Sequence, residues 1–132
     1  MRQIFVNLPV RDLPKSKTFF EGLGFSVNPT FTDDNAACLV IEKDVIHAML
    51  ITEPYFKTFT PKPISDAKRS TEVLIALSCS SDQELKNLVA KALATGGKTV
   101  REAKDHGFML EHAFEDPDGH IWEVMHMREM PK

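Results

Sequence analysis

The chain has 132 residues, 42% hydrophobic and 27% charged, with a formal net charge of −3; this is the balance of one folded globular domain with a real core, which excludes a disordered chain. Acidic and basic residues are interspersed without a basic run, which argues against nucleic acid as a main partner, because that binding needs clustered positive surface. No apolar stretch reaches the length of a membrane span, and Met1-Arg2-Gln3-Ile4-Phe5 leads into a strand-like run with no apolar signal segment, so no membrane partner and a cytoplasmic location are expected.

Ile4 to Val10 alternates, with Ile4, Val6, Leu8 and Val10 on one face and Phe5, Asn7 and Pro9 on the other, the period of a strand. Asp12 stands at an N-cap and Pro14 in the first turn of a helix near 14–23, where Phe19, Phe20 and Leu23 recur at helical spacing. Gly24 can take the left-handed conformation that ends it. Strands are expected over 25–32, 37–42 and 45–52, with Asp33-Asp34-Asn35 and Lys43-Asp44 as the turns between them. Glu53 to Thr71, with Pro54, Pro61, Pro63, Tyr55, Phe56 and Phe59, is too long for a simple connection. It reads as an irregular linker that packs its aromatics on the surface, as a partial lid over a cavity, or as the crossover of a swapped dimer.

Val73 to Ser78 begins the same order again. Ser81-Asp82-Gln83-Glu84 is a capping-box pattern, and Leu85, Leu88, Val89, Ala92 and Leu93 form the apolar stripe of a helix near 82–95 that Gly96-Gly97 ends. Strands are expected over 98–102, 108–114 and 120–127, the last two joined by the turn Asp116-Pro117-Asp118-Gly119. Strand, helix, glycine and three strands thus occur twice, offset by about 70 residues, an internal duplication. The fold class expected is α+β: two βαβββ modules, about 1–55 and about 72–130 with a linker at about 56–71, forming a curled mixed sheet around a cavity with the helices outside. Cys38 and Cys79 lie in apolar stretches without metal-knuckle spacing and read as buried hydrophobes, not as a disulfide.

Alternation also assigns faces. Val73, Ile75 and Leu77 should face the helix, leaving Glu72, Leu74, Ala76 and Ser78 to the cavity; Trp122 and Val124 should face the helix, leaving Ile121, Glu123, Met125 and Met127 to the cavity. Glu123 is the anomaly. A carboxylate between Ile121 and Met125 needs a metal, a cation or a proton, and with no cation beside it burial should raise its pKa. Phe5, Asn7, Met49, His112 and Met125 are the expected wall of an adaptable substrate cavity. His112 shares a strand face with Leu110 and Phe114, so it reads either as a core histidine bonded to backbone or as a wall residue. His106 and His120 belong to turns, and His126 shares a face with Trp122. Neither a Gly-x-Ser-x-Gly elbow nor a phosphate-cradling glycine loop occurs.

The stretches Leu8-Pro9-Val10-Arg11-Asp12-Leu13, Phe19-Phe20 and Leu23-Gly24-Phe25, together with Phe114-Glu115-Asp116-Pro117-Asp118-Gly119-His120-Ile121-Trp122-Glu123-Val124, resemble the two hallmark segments of the vicinal-oxygen-chelate superfamily, the glyoxalase/bleomycin-resistance/dioxygenase type. The resemblance implies paired βαβββ modules around a cavity, usually in a homodimer, and a small-molecule ligand. Its members include glyoxalases, epimerases, ring-cleaving dioxygenases, fosfomycin-modifying enzymes and antibiotic-sequestering proteins. In metal-dependent relatives the ligands come from the first and fourth strands of each half. By that resemblance Glu123 matches the last ligand, Glu72 falls where the second half offers a histidine, and Phe5 stands where the first strand offers histidine or glutamine. Overlaying Val45-x-His47-x-Met49 on Ile121-x-Glu123-x-Met125 places His47 at the remaining position. A His47, Glu72 and Glu123 set with open positions would suit Fe, Mn, Ni or Zn as a Lewis acid in lyase, isomerase or dioxygenase chemistry, with Glu123 and Glu72 as the catalytic carboxylates. Phe5 removes a donor and Glu72 could be a solvated strand end. Two other functions therefore stay open: a non-catalytic protein that sequesters an apolar or aromatic compound, and a subunit that mainly dimerises.

Overall fold

The computed structural model describes residues 1–129; position 130, to which the second module is expected to run, lies outside the described residues. Contacts divide the chain into two compact units, Met1–Ser65 and Asp66–Lys132.

The first unit runs β1 (Ile4–Val10), α1 (Leu13–Gly22), β2 (Ser26–Asn28), β3 (Ala36–Glu42), β4 (Ile46–Thr52) and a short α2 (Glu53–Phe56). Its sheet has the order β1-β4-β3-β2, with β1 parallel to β4 and the other pairs antiparallel. The Asp12 carboxylate accepts from the Lys15 N–H at 3.0 Å and so starts α1, while Gly24 beyond its end has φ +100°. The helix lies on β3 and β4. Its Phe19 and Phe20 are fully buried with Leu8, Val10, Leu39, Ala48 and Leu50, the alternate residues of their strands. The strand expected over 25–32 stops at Asn28. Pro29 opens a 3-10 turn over Pro29–Phe31, and the Asn28 side chain accepts from the Thr30 N–H at 3.0 Å, so the backbone turns instead of extending the ladder. The segment expected to be irregular from residue 53 begins instead as α2 with Pro54 in its first turn, then a 3-10 turn over Lys57–Phe59.

The second unit runs β5 (Leu74–Ser78), α3 (Asp82–Ala94), β6 (Lys98–Thr99), β7 (Lys104–Asp105), β8 (Met109–Glu115) and β9 (Ile121–Met127). Its sheet has the order β5-β9-β8-β6, β7 also pairs with β8, and β5 is parallel to β9. The Ser81 hydroxyl accepts from the Glu84 N–H at 3.0 Å and the Glu84 carboxylate accepts from the Ser80 N–H at 2.8 Å, a capping box displaced by one residue on its return arm. Leu85, Val89 and Ala92 of α3 are buried, as are Leu110, Phe114, Trp122 and Val124 on the sheet below. The strand expected over 98–102 stops at Thr99; beyond it the Arg101 carbonyl accepts from His112 Nε2 at 3.1 Å instead of joining a ladder, and pairing with β8 resumes only at β7.

A polar lock closes the β8–β9 turn. The Asp116 carboxylate, 4% exposed, accepts from Trp122 Nε1, the Asp118 N–H and the His120 N–H, each at 3.0 Å. Burial pushes its pKa up from the ordinary carboxylate range, against the pull of the nearby His120 ring and of the Trp122 and His120 hydrogen bonds. Gly119 completes the turn at φ +91°, and a Cβ there would sit 2.8 Å from the Lys68 backbone nitrogen, so only glycine lets the 66–70 turn approach. Each unit is therefore a mixed sheet with a helix on one face, and the class is α+β. No helix among the described residues is long and apolar enough to cross a membrane.

Candidate functional site

Residues directly opposite one another on neighbouring strands share a face, so the registers decide what each helix-free face carries. In the first unit Phe5 pairs with His47, Asn7 with Met49, Cys38 with Met49 and Val40 with His47. All lie opposite the Leu8, Ala48 and Leu50 side that meets α1. The rings of Phe5 and His47 stack at 4.4 Å between centroids and 9° between planes. His47 is 7% exposed, and its Nδ1 is buried with no hydrogen-bond partner. Four of the expected site residues, Phe5, Asn7, His47 and Met49, thus stand together on this face.

In the second unit Glu123 pairs with Ala76 on one side and Ala113 on the other, and Met125 pairs with Ser78 and Glu111. Glu123 and Met125 share the helix-free face, as alternation predicts. The carboxylate is not alone there: Arg101 Nη2 lies 2.7 Å from Glu123 Oε2 and 3.9 Å from Glu111 Oε1. Glu111 in turn lies 3.7 Å from His106 Nε2. With about a quarter of each side chain exposed, Arg101 and Glu123 form a half-buried ion pair. The guanidinium is the cation that a carboxylate on an apolar strand requires. Of the metal, cation or proton that this position calls for, the structure supplies a cation from the chain itself.

Two expected site residues are displaced. Glu72 is exposed and precedes β5, which begins at Leu74 opposite Ile121. That register sets Ala76, not Glu72, beside Glu123, as Phe5 stands beside His47 in the first unit. His112 pairs with Val124 on the helix side of the sheet, and its Nε2–H is taken by the Arg101 carbonyl. It is the backbone-bonded histidine, not a wall residue beside Glu123.

Arg101 and Glu111 were not among the expected site residues. The signal available was the Glu123 anomaly itself, which calls for a cation without saying where in the chain it comes from. On the helix side, His126 Nδ1 donates to Asp82 at 2.8 Å, and Arg128 bridges Asp82 and Asp105 at 2.7 and 2.6 Å. The Arg128 hydrogen bond and then that of His126 hold Asp82 down at about 2. Both cysteines are free thiols; burial first, and the Glu84 charge second, push Cys79 up to about 11, far from a nucleophile at neutral pH.

The donors present do not fit a resident metal of the kind the resemblance implies. Phe5 and Ala76 offer no ligand atom, Glu72 lies off the strand, and Glu123 is held by a guanidinium. Among the described residues no group of three or more His, Cys, Asp or Glu side chains is placed to hold an ion.

Residues 2–124 match the sequence model of the Glyoxalase/Bleomycin resistance protein/Dioxygenase superfamily. Among solved structures, a hypothetical protein from S. aureus is 27% identical with a TM-score of 0.78, over 95% of this chain and 93% of that one. A glyoxalase-related enzyme from Fulvimarina pelagi is 22% identical with a TM-score of 0.80, over 99% of this chain and 92% of that one. A bleomycin-binding protein complexed with bleomycin is 18% identical with a TM-score of 0.62, over 96% and 98%. The fold is shared with all three. No match was found among curated protein sequences.

Proposed function

The chain belongs to the Glyoxalase/Bleomycin resistance protein/Dioxygenase superfamily, and from that premise we propose that it binds a small organic molecule on the helix-free sheet face of its first unit, as a sequestering or carrier protein without a resident metal. The observation that carries this reading is the Arg101–Glu123 pair at 2.7 Å. The one carboxylate that matches a family ligand already has its cation, and a divalent ion beside Arg101 would meet like charge. The helix-free face of the first unit carries Phe5, Asn7, His47 and Met49, apolar and polarizable surface with a few polar groups, the usual lining of a small-molecule site. A neighbour of the same fold is a bleomycin-binding protein, so the architecture admits a binding role.

The test is thermal unfolding of the purified protein against Mn, Fe, Ni and Zn ions and, separately, a panel of aromatic compounds and antibiotics that includes bleomycin. An organic ligand should raise Tm and the ions should not, because only what binds the folded state stabilises it. The sharper variant is Arg101→Met, which removes the guanidinium and leaves Glu123 available. Gain of metal binding in that variant alone would mean that Arg101 occupies the ion's electrostatic role. Stoichiometric metal binding by the wild type, lost in Glu123→Gln, would overturn the reading, as would a panel in which nothing shifts Tm.

A further inference from the structure

We propose that the Phe5–His47 stack in the first unit is the seat for a flat, uncharged aromatic ring with a hydrogen-bonding substituent, in which Phe5 stacks on the ligand, Asn7 meets its polar edge and His47 positions Phe5. The inference rests on the small-molecule reading above and names the ligand class for it.

The geometry starts from the parallel pairing of β1 and β4, which sets Phe5 beside His47. Parallel rings at 4.4 Å and 9° mean that one face of the phenyl ring lies on the imidazole. Phe5 nevertheless remains 46% exposed while His47 is 7% exposed. The exposure therefore belongs to the opposite phenyl face and the ring edge. An aromatic side chain on a sheet face normally buries itself; here the ring stands beside His47 on the edge strand β1, with its second π face left open.

His47 explains how. An imidazole in a protein interior ordinarily spends its nitrogens on hydrogen bonds, yet Nδ1 is buried and has none. Stacking holds this ring in place of that hydrogen bond. Around the stack lie Val40, Cys38 and Met49, with the exposed amide of Asn7 two residues along β1. None of these positions carries a lysine or an arginine. Phosphates and carboxylates therefore find no guanidinium or ammonium at them, and a ring with a neutral hydroxyl or amide finds a stacking surface, an amide and apolar walls.

The probes are 2-naphthol, its saturated analogue decahydro-2-naphthol, and naphthalene, titrated by calorimetry and by fluorescence where the compound allows. The wild type should bind 2-naphthol about five- to tenfold more tightly than the saturated alcohol, the size of one aromatic stack. Phe5→Leu, which keeps apolar bulk, should erase that ratio. Asn7→Ala should erase the preference for 2-naphthol over naphthalene and leave the aromatic preference in place. His47→Ala should weaken 2-naphthol binding and His47→Phe should restore it, because a second ring can prop Phe5 where a methyl cannot; a purely structural histidine would not be rescued in this way. Tm and circular dichroism check that each variant is folded. Equal affinity for naphthol and decahydronaphthol, or an unchanged ratio in Phe5→Leu, overturns the seat. If the protein still binds compounds of the panel in that case, the small-molecule reading stands while this site falls; failure of 2-naphthol to bind at all also overturns the seat.

Discussion

The two units share an element order but present opposite chemistry on their helix-free faces and hold themselves together by different means. In the first, the face beside Phe5 and His47 is aromatic and apolar, and the core beneath is dominated by packing: Phe19 and Phe20 edge to face at 5.0 Å over Leu8, Leu39 and Leu50. In the second, the corresponding face carries Arg101, Glu111 and Glu123, and the fold is fastened by directed polar contacts, Asp116 on Trp122 and Asp82 on His126 and Arg128. A duplicated βαβββ pattern needs only the periodicity of its apolar residues; once that is satisfied, the other sheet face is open to divergent chemistry. The comparison teaches that the equivalent positions Phe5 and Ala76, and His47 and Glu123, are alike in place and unlike in capability.

The largest expected effect breaks the polar lock of the second unit. Asp116→Ala leaves the buried Trp122 Nε1–H and two backbone N–H groups without their acceptor, and should lower stability by about 3 kcal/mol in urea unfolding, the scale of leaving buried donors unsatisfied. A loss under about 1 kcal/mol would mean that water replaces the carboxylate and that the two units do not differ in this respect. Gly119→Ala should follow at about 1–3 kcal/mol, since it forces a Cβ into a left-handed φ and against the Lys68 backbone 2.8 Å away. The matched change Gly24→Ala, at φ +100° with nothing within 4 Å, meets the same dihedral penalty without the clash, so Tm values for the pair isolate the close approach.

The smallest effect appears only in acid. Asp82 is held at about 2 in the fold against an unfolded value near ~3.9. A depressed folded pKa adds stability that is present above about pH 4 and is lost as pH falls toward 2. Asp82→Asn should therefore flatten the acid limb of Tm against pH between about 5 and 2, and a limb of unchanged steepness would show that other carboxylates set it.

Much of the fold was legible because it depends on local signals. Asp12 and Ser81 cap their helices through side chains that reach three residues along the chain, Gly24 takes its positive φ, and the alternation in Ile4–Val10 and Ile121–Met127 assigns both sheet faces. Pro29 could have warned that the strand over 25–32 would stop. The site was half legible: alternation brought Phe5, Asn7, His47 and Met49 to one face and marked Glu123 as a carboxylate in need of a partner. Glu72 went astray because a parallel strand's register is set by long-range pairing with β9, and that register brings Ala76, four residues on, beside Glu123. His112 went astray because its strand face turned out to be the helix side.

By itself, then, the sequence determined the duplicated βαβββ order, the caps, the turns and the faces of the first and last strands, since these follow from backbone propensities and period-two patterning within a few residues. Only the tertiary structure decided that Arg101, 22 residues from Glu123, closes on it as its cation, that Ala76 takes the place expected of Glu72, and that His47 stacks beside Phe5 with Nδ1 unpaired. Those outcomes depend on pairing between distant strands, where the free energy of a contact is decided by which partners the register brings within reach and not by the residues' own preferences.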